Sequence, residues 1–501
     1  MTDLFDPDAV LPAAFVPTPT QEFNVASARR NAGRQTVKPA LELVRSADAA
    51  SDRPSPKSGL KAIDRGLKGD PVLLPFPIPI PFPLPILFGS RSLIYKQDPS
   101  VAEIGIRKVF LRGLIAPGPK TARIAMAGVA PVSPNSMSDF IQVPGSEAFD
   151  TVQGFSVVHQ ALTMCQRALG GTIKWQWNSG ANTDPITVSP RAGVTMNAYY
   201  SRSDKALKFF YFNKPGVPSP APVIYTVRSF DIVTHETGHA VLDSLKPGWI
   251  GASSNPQTGA LHEAFGDLLA IFSALAQLDQ VEALIVQTKG NLHSKSFLSD
   301  MAEEFGLALG RDNGLRNADN DKKLSEVTSE VHDLSQVFTG GIYDVLADMF
   351  VFDRHIDKED EAHTLLKTAQ YLFTLLLRGI QAAPATDATF AHVVNAMLTI
   401  AAADGKPVQY RNFLRNRFTL REVVVSPVPL DVDVDEHVTL AAVDHPHLTV
   451  TGTGLQDRSG CCGTLRLREY SVTPAMLAQE IADIRGGFGG GSETPELIAA
   501  E

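Results

Sequence analysis

Two histidines and a glutamate stand together in the pentapeptide HETGH, residues 235–239. Histidines four residues apart lie on one face of an α-helix, so the imidazoles of His235 and His239 can reach the same metal ion. Zinc is the ion that this spacing favours, and Glu236 is placed to take a proton from a zinc-bound water molecule. The pattern therefore predicts a hydrolytic metal site. The simpler alternative is a pair of surface histidines on an amphipathic helix.

A third ligand is predicted downstream, in the apolar helical pattern of residues 258–275. Glu263 would complete a His₂Glu set whose fourth position stays open for water. Asp267, one turn later, could accept the second ring N–H of a ligating histidine and thereby select its tautomer. A solvated helix face is the alternative, but unpaired carboxylates within so apolar a helix would be costly. The related motif HExxHxxGxxH is excluded, because Leu242 and Leu245 occupy its glycine and third histidine positions.

With these two helices, the chain resembles the thermolysin-like zinc metallopeptidases, the Glu-ligand zincins or gluzincins. Their second helix carries a motif of the form NEAxxD, and HEAFGD matches it with His262 in place of asparagine. The resemblance implies a two-lobed α+β fold, with a mixed α/β N-terminal lobe and an α-helical C-terminal lobe. It implies one catalytic zinc ion with three protein ligands: His235, His239 and Glu263.

Three further segments follow in the order of that family, over roughly residues 145 to 420. The tetrapeptide NAYY resembles the edge strand along which the substrate lies, which implies substrate contacts from Asn197 and Ala198. The segment EVHDLS resembles the one whose histidine stabilises the tetrahedral intermediate, which makes His332 the second catalytic residue beside the general base. The segment LRN resembles the one whose arginine grips a substrate carbonyl and buttresses the site, and here that residue is Arg316.

One expected side chain is missing. The family supplies a second oxyanion donor, a tyrosine, between the second histidine and the glutamate ligand. Residues 240–262 contain no tyrosine, and Ser254 stands at the matching position. Either Tyr199 or Tyr200 takes that role, or the resemblance predicts slower turnover.

Two other positions depart from the family. Val327 stands where the family has the aspartate that orients the active-site histidine, so Glu326 or Glu330 would have to orient His332. Asp231 matches one calcium ligand of the family, but the next expected carboxylate position on the second helix is an alanine. The sequence therefore favours zinc and leaves calcium doubtful.

Composition is that of a large enzyme: 501 residues, of which 44% are hydrophobic and 20% charged, with a net charge of −9. Nothing basic is concentrated enough to neutralise phosphates, so nucleic acid is not an expected partner. No run reaches the ~18 apolar residues of a membrane span. Three cysteines, Cys165, Cys461 and Cys462, make no disulfide framework and are expected to be free thiols.

The N-terminal region carries no secretion signal of the Sec type, which predicts a cytoplasmic location by default, with export by a non-classical route as the alternative. Residues 1–70 are rich in proline, serine, alanine and charge and are predicted to be disordered. Residues 74–88 alternate proline with large apolar side chains, which forbids helix and favours an extended strip. The strip is expected to pack over the enzyme's own surface. The alternatives are docking into a partner and occupancy of the active-site cleft.

The chain is thus divided into five parts: a disordered segment (1–70), the strip and short strands (71–144), a zinc-binding catalytic lobe (145–330), an α-helical lobe (331–421) and a β-rich extension with a flexible tail (422–501). The helical lobe is predicted from four helical patterns, at residues 338–352, 361–381, 389–404 and 408–418. The function predicted is a zinc endopeptidase that acts on proteins or peptides and favours apolar residues after the scissile bond. A catalytically weak zincin that serves as a binding module and a zinc aminopeptidase are the alternatives.

Overall fold

The computed structural model of this protein describes residues 89–250, 252–308, 314–435 and 438–448. The predictions for residues 1–70, for the strip at 74–88, for the two C-terminal cysteines and for the tail lie outside the described residues. Within them the fold is mixed α+β, as the sequence predicts.

The strands of the described part are short and form one four-stranded sheet and four two-stranded sheets. They are β1 (Gly89–Tyr95), β2 (Ile106–Arg112), β3 (Ile124–Met126), β4 (Ile186–Ser189), β5 (Ala198–Ser201), β6 (Ala206–Phe209), β7 (Tyr211–Asn213), β8 (Val223–Tyr225), β9 (Asp300–Met301), β10 (Arg316–Asn317), β11 (Val424–Val425) and β12 (Ala441–Ala442). The larger sheet has the order β3-β4-β6-β5, with β5 antiparallel to β6 at one edge.

Helices account for most of the buried core. They are α1 (Glu147–Leu169), α2 (Phe230–Leu245), α3 (Pro256–Leu275), α4 (Leu278–Thr288), α5 (Glu303–Ala308), α6 (Val331–Asp353), α7 (Glu361–Ala382), α8 (Phe390–Ala403) and α9 (Val408–Leu420). α3 is buried along nearly its whole length and packs against α2, α6 and α7. The four helices predicted for the C-terminal region are confirmed as α6 to α9.

The two helices that carry the metal-site motifs begin at side-chain caps. The Asn255 side chain accepts a hydrogen bond from the Gln257 backbone N–H (2.9 Å), and Pro256 opens α3 at a position where a missing N–H costs nothing. Ser229 caps α2 in the same way, and α2 ends just before Pro247. Local sequence thus sets where each of these helices starts.

Two sequence expectations need correction. α6 begins seven residues earlier than its apolar pattern suggests, because the Glu330 side chain caps it by accepting the Asp333 N–H (2.8 Å). The alternating stretch at residues 430–435 is not a strand, and the described part of the predicted β-rich extension holds only the two-residue strands β11 and β12. The carbonyls of Leu430 and Val432 accept hydrogen bonds from the Arg415 side chain instead of from a partner strand.

Within the described ranges, no single helix is long and apolar enough to cross a membrane. α3 and α4 together meet that criterion by length and composition, with a bend of 93° between them.

Candidate metal centre

α2 and α3 cross in close contact because a glycine of each helix faces the other. A Cβ atom added at Gly238 would lie 2.9 Å from the Cα of Gly266, and one added at Gly266 would lie 2.6 Å from Nδ1 of His235. Any larger side chain would push the helices apart. Glycine in a helix interior is unfavourable, so its presence in both HETGH and HEAFGD was a signal of this close approach that the sequence prediction did not use.

Three ligand atoms converge at this crossing. Nε2 of His235 and Nε2 of His239 are 3.0 Å apart. Of the Glu263 carboxylate, Oε2 lies 3.4 Å from Nε2 of His235, and Oε1 lies 3.5 Å from Nε2 of His239. All three side chains are buried, and together they form a group that could hold a metal ion.

The geometry of this group fits a small tetrahedral cation. Metal bonds of about 2.0–2.2 Å place the ligand atoms of a tetrahedral site about 3.3–3.6 Å apart. The two nitrogen–carboxylate distances lie in this range, and the two nitrogens, at 3.0 Å, are slightly closer. Burial lowers the pKa of His239 well below its ordinary value, so this ring is neutral at neutral pH and offers a lone pair. Lone pairs that face one another and a carboxylate in a buried space repel, and a cation between them removes the repulsion.

Asp267 lies behind the first ligand, as the sequence predicts. Its Oδ1 is 2.8 Å from Nδ1 of His235 and also accepts a hydrogen bond from Nη2 of Arg316 (2.7 Å). Burial alone would raise the pKa of the Asp267 carboxyl, but Arg316 and His235 outweigh burial and hold that pKa below its usual value. The ionised Asp267 therefore keeps the proton of His235 on Nδ1, which leaves Nε2 for a metal.

Behind the second ligand lies a residue that the sequence prediction did not place. Nδ1 of His262 is 3.3 Å from Nδ1 of His239, and their rings stack. Burial lowers the pKa of His262 to about 3, so this ring is neutral and can accept the Nδ1–H of His239. His262 thus supports His239 as Asp267 supports His235, without adding a charge.

The two predicted catalytic residues come from different helices, α2 and α6. Glu236 is fully buried on α2, between the two ligating histidines in sequence. His332 lies in the first turn of α6, with Nε2 3.2 Å from the Glu263 carboxylate. Of the two glutamates considered as its partner, Glu330 contacts Nδ1 of His332 (2.7 Å). One carboxylate therefore both caps α6 and orients the histidine.

The edge strand β5 is attached to α2 by a buried carboxylate that the sequence did not reveal. Asp243, one turn after His239, accepts a hydrogen bond from the Tyr200 hydroxyl (2.7 Å) and pairs with Arg202. Asn197 is buried just before the strand, and its Oδ1 accepts the backbone N–H of Ala198 (2.8 Å).

The positions considered for the missing tyrosine are engaged elsewhere. The Tyr200 hydroxyl donates to Asp243, and the Tyr199 ring packs near the Phe210 ring and the Lys208 ammonium. Ser254, one residue before the α3 cap, is exposed, and its backbone N–H donates to Oδ1 of Asp387 (2.7 Å). None of these contacts directs a donor at the ligand group.

Asp231, the residue matched to a family calcium ligand, lies near two other carboxyl groups. Its Oδ2 accepts the Ala302 N–H (3.3 Å), and Oδ1 of Asp98 accepts the Glu304 N–H (3.0 Å). Burial, and after it the charge of Asp98, raises the pKa of Asp231 well above its usual value. The same two causes raise the pKa of Glu304 to about 7. Glu304 therefore gains and loses its proton near neutral pH.

Replacement of Glu304 by glutamine is expected to stabilise the protein above pH 7 and to have no effect near pH 4.5. Between these values the native state binds more protons than the unfolded state, so the free energy of unfolding of the wild type falls as the pH rises. After allowance for partial solvent exposure, the gain at pH 8 is on the order of 1 kcal/mol. Urea unfolding at both pH values measures it, with exposed Glu282→Gln as the control. An equal difference at both pH values would contradict it.

A second group of potential ligand atoms lies apart from the first: His293, Asp319 and Asp344. Nδ1 of His293 is 2.8 Å from Asp319, and Asp344 accepts a hydrogen bond from Arg421 (2.8 Å). Because an arginine already compensates the one buried carboxylate, this group needs no cation.

No model of a known protein family matches the chain, and no curated protein matches it significantly. The family resemblance therefore rests on the sequence motifs.

Proposed function

We propose that this protein is a zinc endopeptidase with the two-lobed fold of the thermolysin-like class. The observation that carries the proposal is the convergence of the buried His235, His239 and Glu263 side chains at 3.0–3.5 Å, with Glu236 buried on the helix that holds the two histidines. Zinc held by these three residues would supply Lewis-acid chemistry, making water more acidic and polarising the carbonyl of a peptide bond.

Glu236 acts in this proposal as the general base. Its carboxylate accepts a proton from the attacking water and then delivers it to the nitrogen of the leaving amine. The burial of Glu236 excludes bulk water, which strengthens its electrostatic effect on the reacting atoms.

His332 stabilises the oxyanion. When both ring nitrogens carry protons, Nδ1 donates to Glu330, and Nε2, which lies 3.2 Å from the Glu263 carboxylate, would donate to an attacked carbonyl placed beside that ligand. The position of His332 at the start of α6 and the contact with Glu330 fix the ring before substrate binds, so little reorganisation is needed during the reaction.

Substrate binding is assigned to β5 and Arg316. An extended peptide would add to the sheet at its edge strand β5, where Asn197 and Ala198 would offer an amide group and a carbonyl. The contact of Arg316 with Asp267 supports the buttressing part of its predicted role. A direct grip on a substrate carbonyl stays a prediction.

Replacement of His332 by alanine is expected to lower kcat by roughly 10²–10³-fold, the usual cost of one oxyanion donor. KM and zinc content should change little, since His332 is not among the three ligands. Steady-state kinetics on an internally quenched peptide measure the effect, with exposed His355→Ala as the control. An unchanged kcat, or a loss of zinc from the variant, would show that His332 has another role.

A catalytically weak zincin that serves as a binding module is the second candidate. The engagement of Tyr200 with Asp243 and of Ser254 with Asp387 favours it, because neither residue is directed at the ligand group as a second oxyanion donor. Cleavage of an internally quenched peptide with a blocked N-terminus distinguishes the candidates. An endopeptidase cuts it, an aminopeptidase cuts only the unblocked form, and a binding module cuts neither.

A further inference from the structure

A cavity of about 480 Å³ lies at the far end of α3 from the metal centre. It is enclosed by α1, β2, the last turns of α3, and α7. Ser273, on its wall, follows Glu263 by ten residues, so about 15 Å of helix separates the cavity from the ligand group. Its volume falls in the range of ~300–1,000 Å³ typical of binding pockets.

The lining combines aromatic rings with hydrogen-bonding groups. The rings belong to four phenylalanines: Phe110, Phe230, Phe272 and Phe373. Arg112 and Arg167 add two guanidinium groups, and neither forms an ion pair within the described part of the chain. The buried Oε1 of Gln160 has no hydrogen-bond partner among the described residues. Such a lining suits an apolar ligand that also carries backbone carbonyl and N–H groups.

A segment with this chemistry ends beside the cavity. Residues 79–88, PIPFPLPILF, alternate proline with large apolar residues over most of their length. The segment ends one residue before Gly89, and Gly89 pairs with Arg112 in the β1–β2 ladder. Phe110, on the same face of β2 as Arg112, is 53% exposed despite its size. The chain therefore enters the described fold at the rim of the cavity, next to the half-exposed ring of Phe110.

The composition of the segment matches the lining. Because proline has no N–H, the backbone of the segment has more carbonyl acceptors than N–H donors. The Arg112 and Arg167 guanidinium groups can donate to these carbonyls. Proline-rich chains dock into grooves lined by aromatic rings, because their extended shape loses little entropy on binding. Ten residues at about 3.1 Å each span roughly 30 Å, ample to cross the cavity.

We propose that residues 79–88 dock in this cavity of their own chain, with the apolar side chains against the four phenylalanines and the backbone bonded to Arg112, Arg167 and Gln160. Docking there leaves the metal centre open, since the cavity lies at the other end of α3. The segment could instead bind in the catalytic cleft, to a second copy of the chain or to a partner protein, and the test distinguishes these alternatives.

The test uses the full chain with a photoreactive benzophenone amino acid in place of Phe82. Irradiation followed by peptide mapping is expected to give intramolecular cross-links to the cavity walls, in residues 159–168, 272–277 or 369–374. Cross-links to the NAYY or HETGH segments, cross-linked dimers, or no cross-link to the cavity walls would each overturn the proposal. The same group in place of Phe23 is the control and should not label these walls.

A variant that fills the cavity gives a second measurement. Thr163→Trp, on the wall formed by α1, is expected to abolish the cross-link from position 82, because the added ring occupies the space of the segment. Val286→Trp, at an exposed site on α4, should leave the cross-link unchanged. Far-UV circular dichroism confirms that both variants fold. A Thr163→Trp protein that folds and still gives the full yield of cavity cross-links would overturn the proposal. This readout needs no catalysis, so it is independent of the proposed function.

Discussion

Replacement of Glu236 by glutamine is expected to lower kcat/KM for an internally quenched peptide by at least about 10³-fold, near the upper part of the range for general-base catalysis. Glutamine has the same shape as glutamate and fits the same buried position on α2, but its amide cannot accept a proton from water. Zinc content should stay the same, because the three ligand residues are unchanged.

The exposed Glu282→Gln variant controls for the loss of one carboxylate and should keep full activity. A Glu236→Gln protein that keeps its zinc and more than about a tenth of the wild-type activity would exclude Glu236 as the general base, since such a base contributes roughly 10²–10⁴-fold. A variant that loses zinc would instead point to a structural role for this carboxylate.

Replacement of Gly266 by alanine is expected to disrupt the metal centre although the new side chain is only a methyl group. Its Cβ would lie 2.6–2.8 Å from three atoms of the His235 ring, a distance that packed carbon atoms do not reach. The ring or the α2–α3 crossing must therefore move. We expect zinc affinity to fall at least tenfold and the protein to lose about 1–3 kcal/mol of stability, the usual cost of overpacking.

Gly171→Ala is the matched control, because a Cβ added at Gly171 meets no atom within 4 Å. Competition with a chromophoric chelator measures zinc affinity, and urea unfolding measures stability. If Gly266→Ala binds zinc as tightly as the control, the close crossing of α2 and α3 is not what positions His235.

The parts of the centre that come from local spacing could be predicted from the sequence. The i, i+4 pairs place His235 with His239 and Glu263 with Asp267 on single helix faces, and helix periodicity is a local property. Asp267 was expected beside a ligating histidine and lies 2.8 Å from His235. The long helices α6 to α9 were likewise visible as apolar patterns.

Contacts between distant segments could not be predicted in this way. The hydrogen bond from Tyr200 to Asp243 joins residues 43 apart, and that from Arg316 to Asp267 joins residues 49 apart. No local pattern encodes either pair. Resemblance suggested that Arg316 lies near the site, but only the tertiary structure shows which group it contacts.

The contact made by His262 could not be predicted from the spacing of the motif either. His262 occupies the asparagine position of the NEAxxD motif, and its neutral ring faces His239 through Nδ1. For residues 430–435, the local pattern led to a wrong prediction. Their pattern is that of a strand, yet the Arg415 side chain, rather than a neighbouring strand, binds their carbonyls.

Metal content and peptide cleavage, measured together on the purified full chain, test the central claim most directly. We predict about one zinc ion per chain, bound by His235, His239 and Glu263, and cleavage of casein and of a blocked, internally quenched peptide. Removal of zinc by a chelator should abolish cleavage, and its return should restore it. A protein that holds stoichiometric zinc and cleaves neither substrate would contradict the proposed endopeptidase activity.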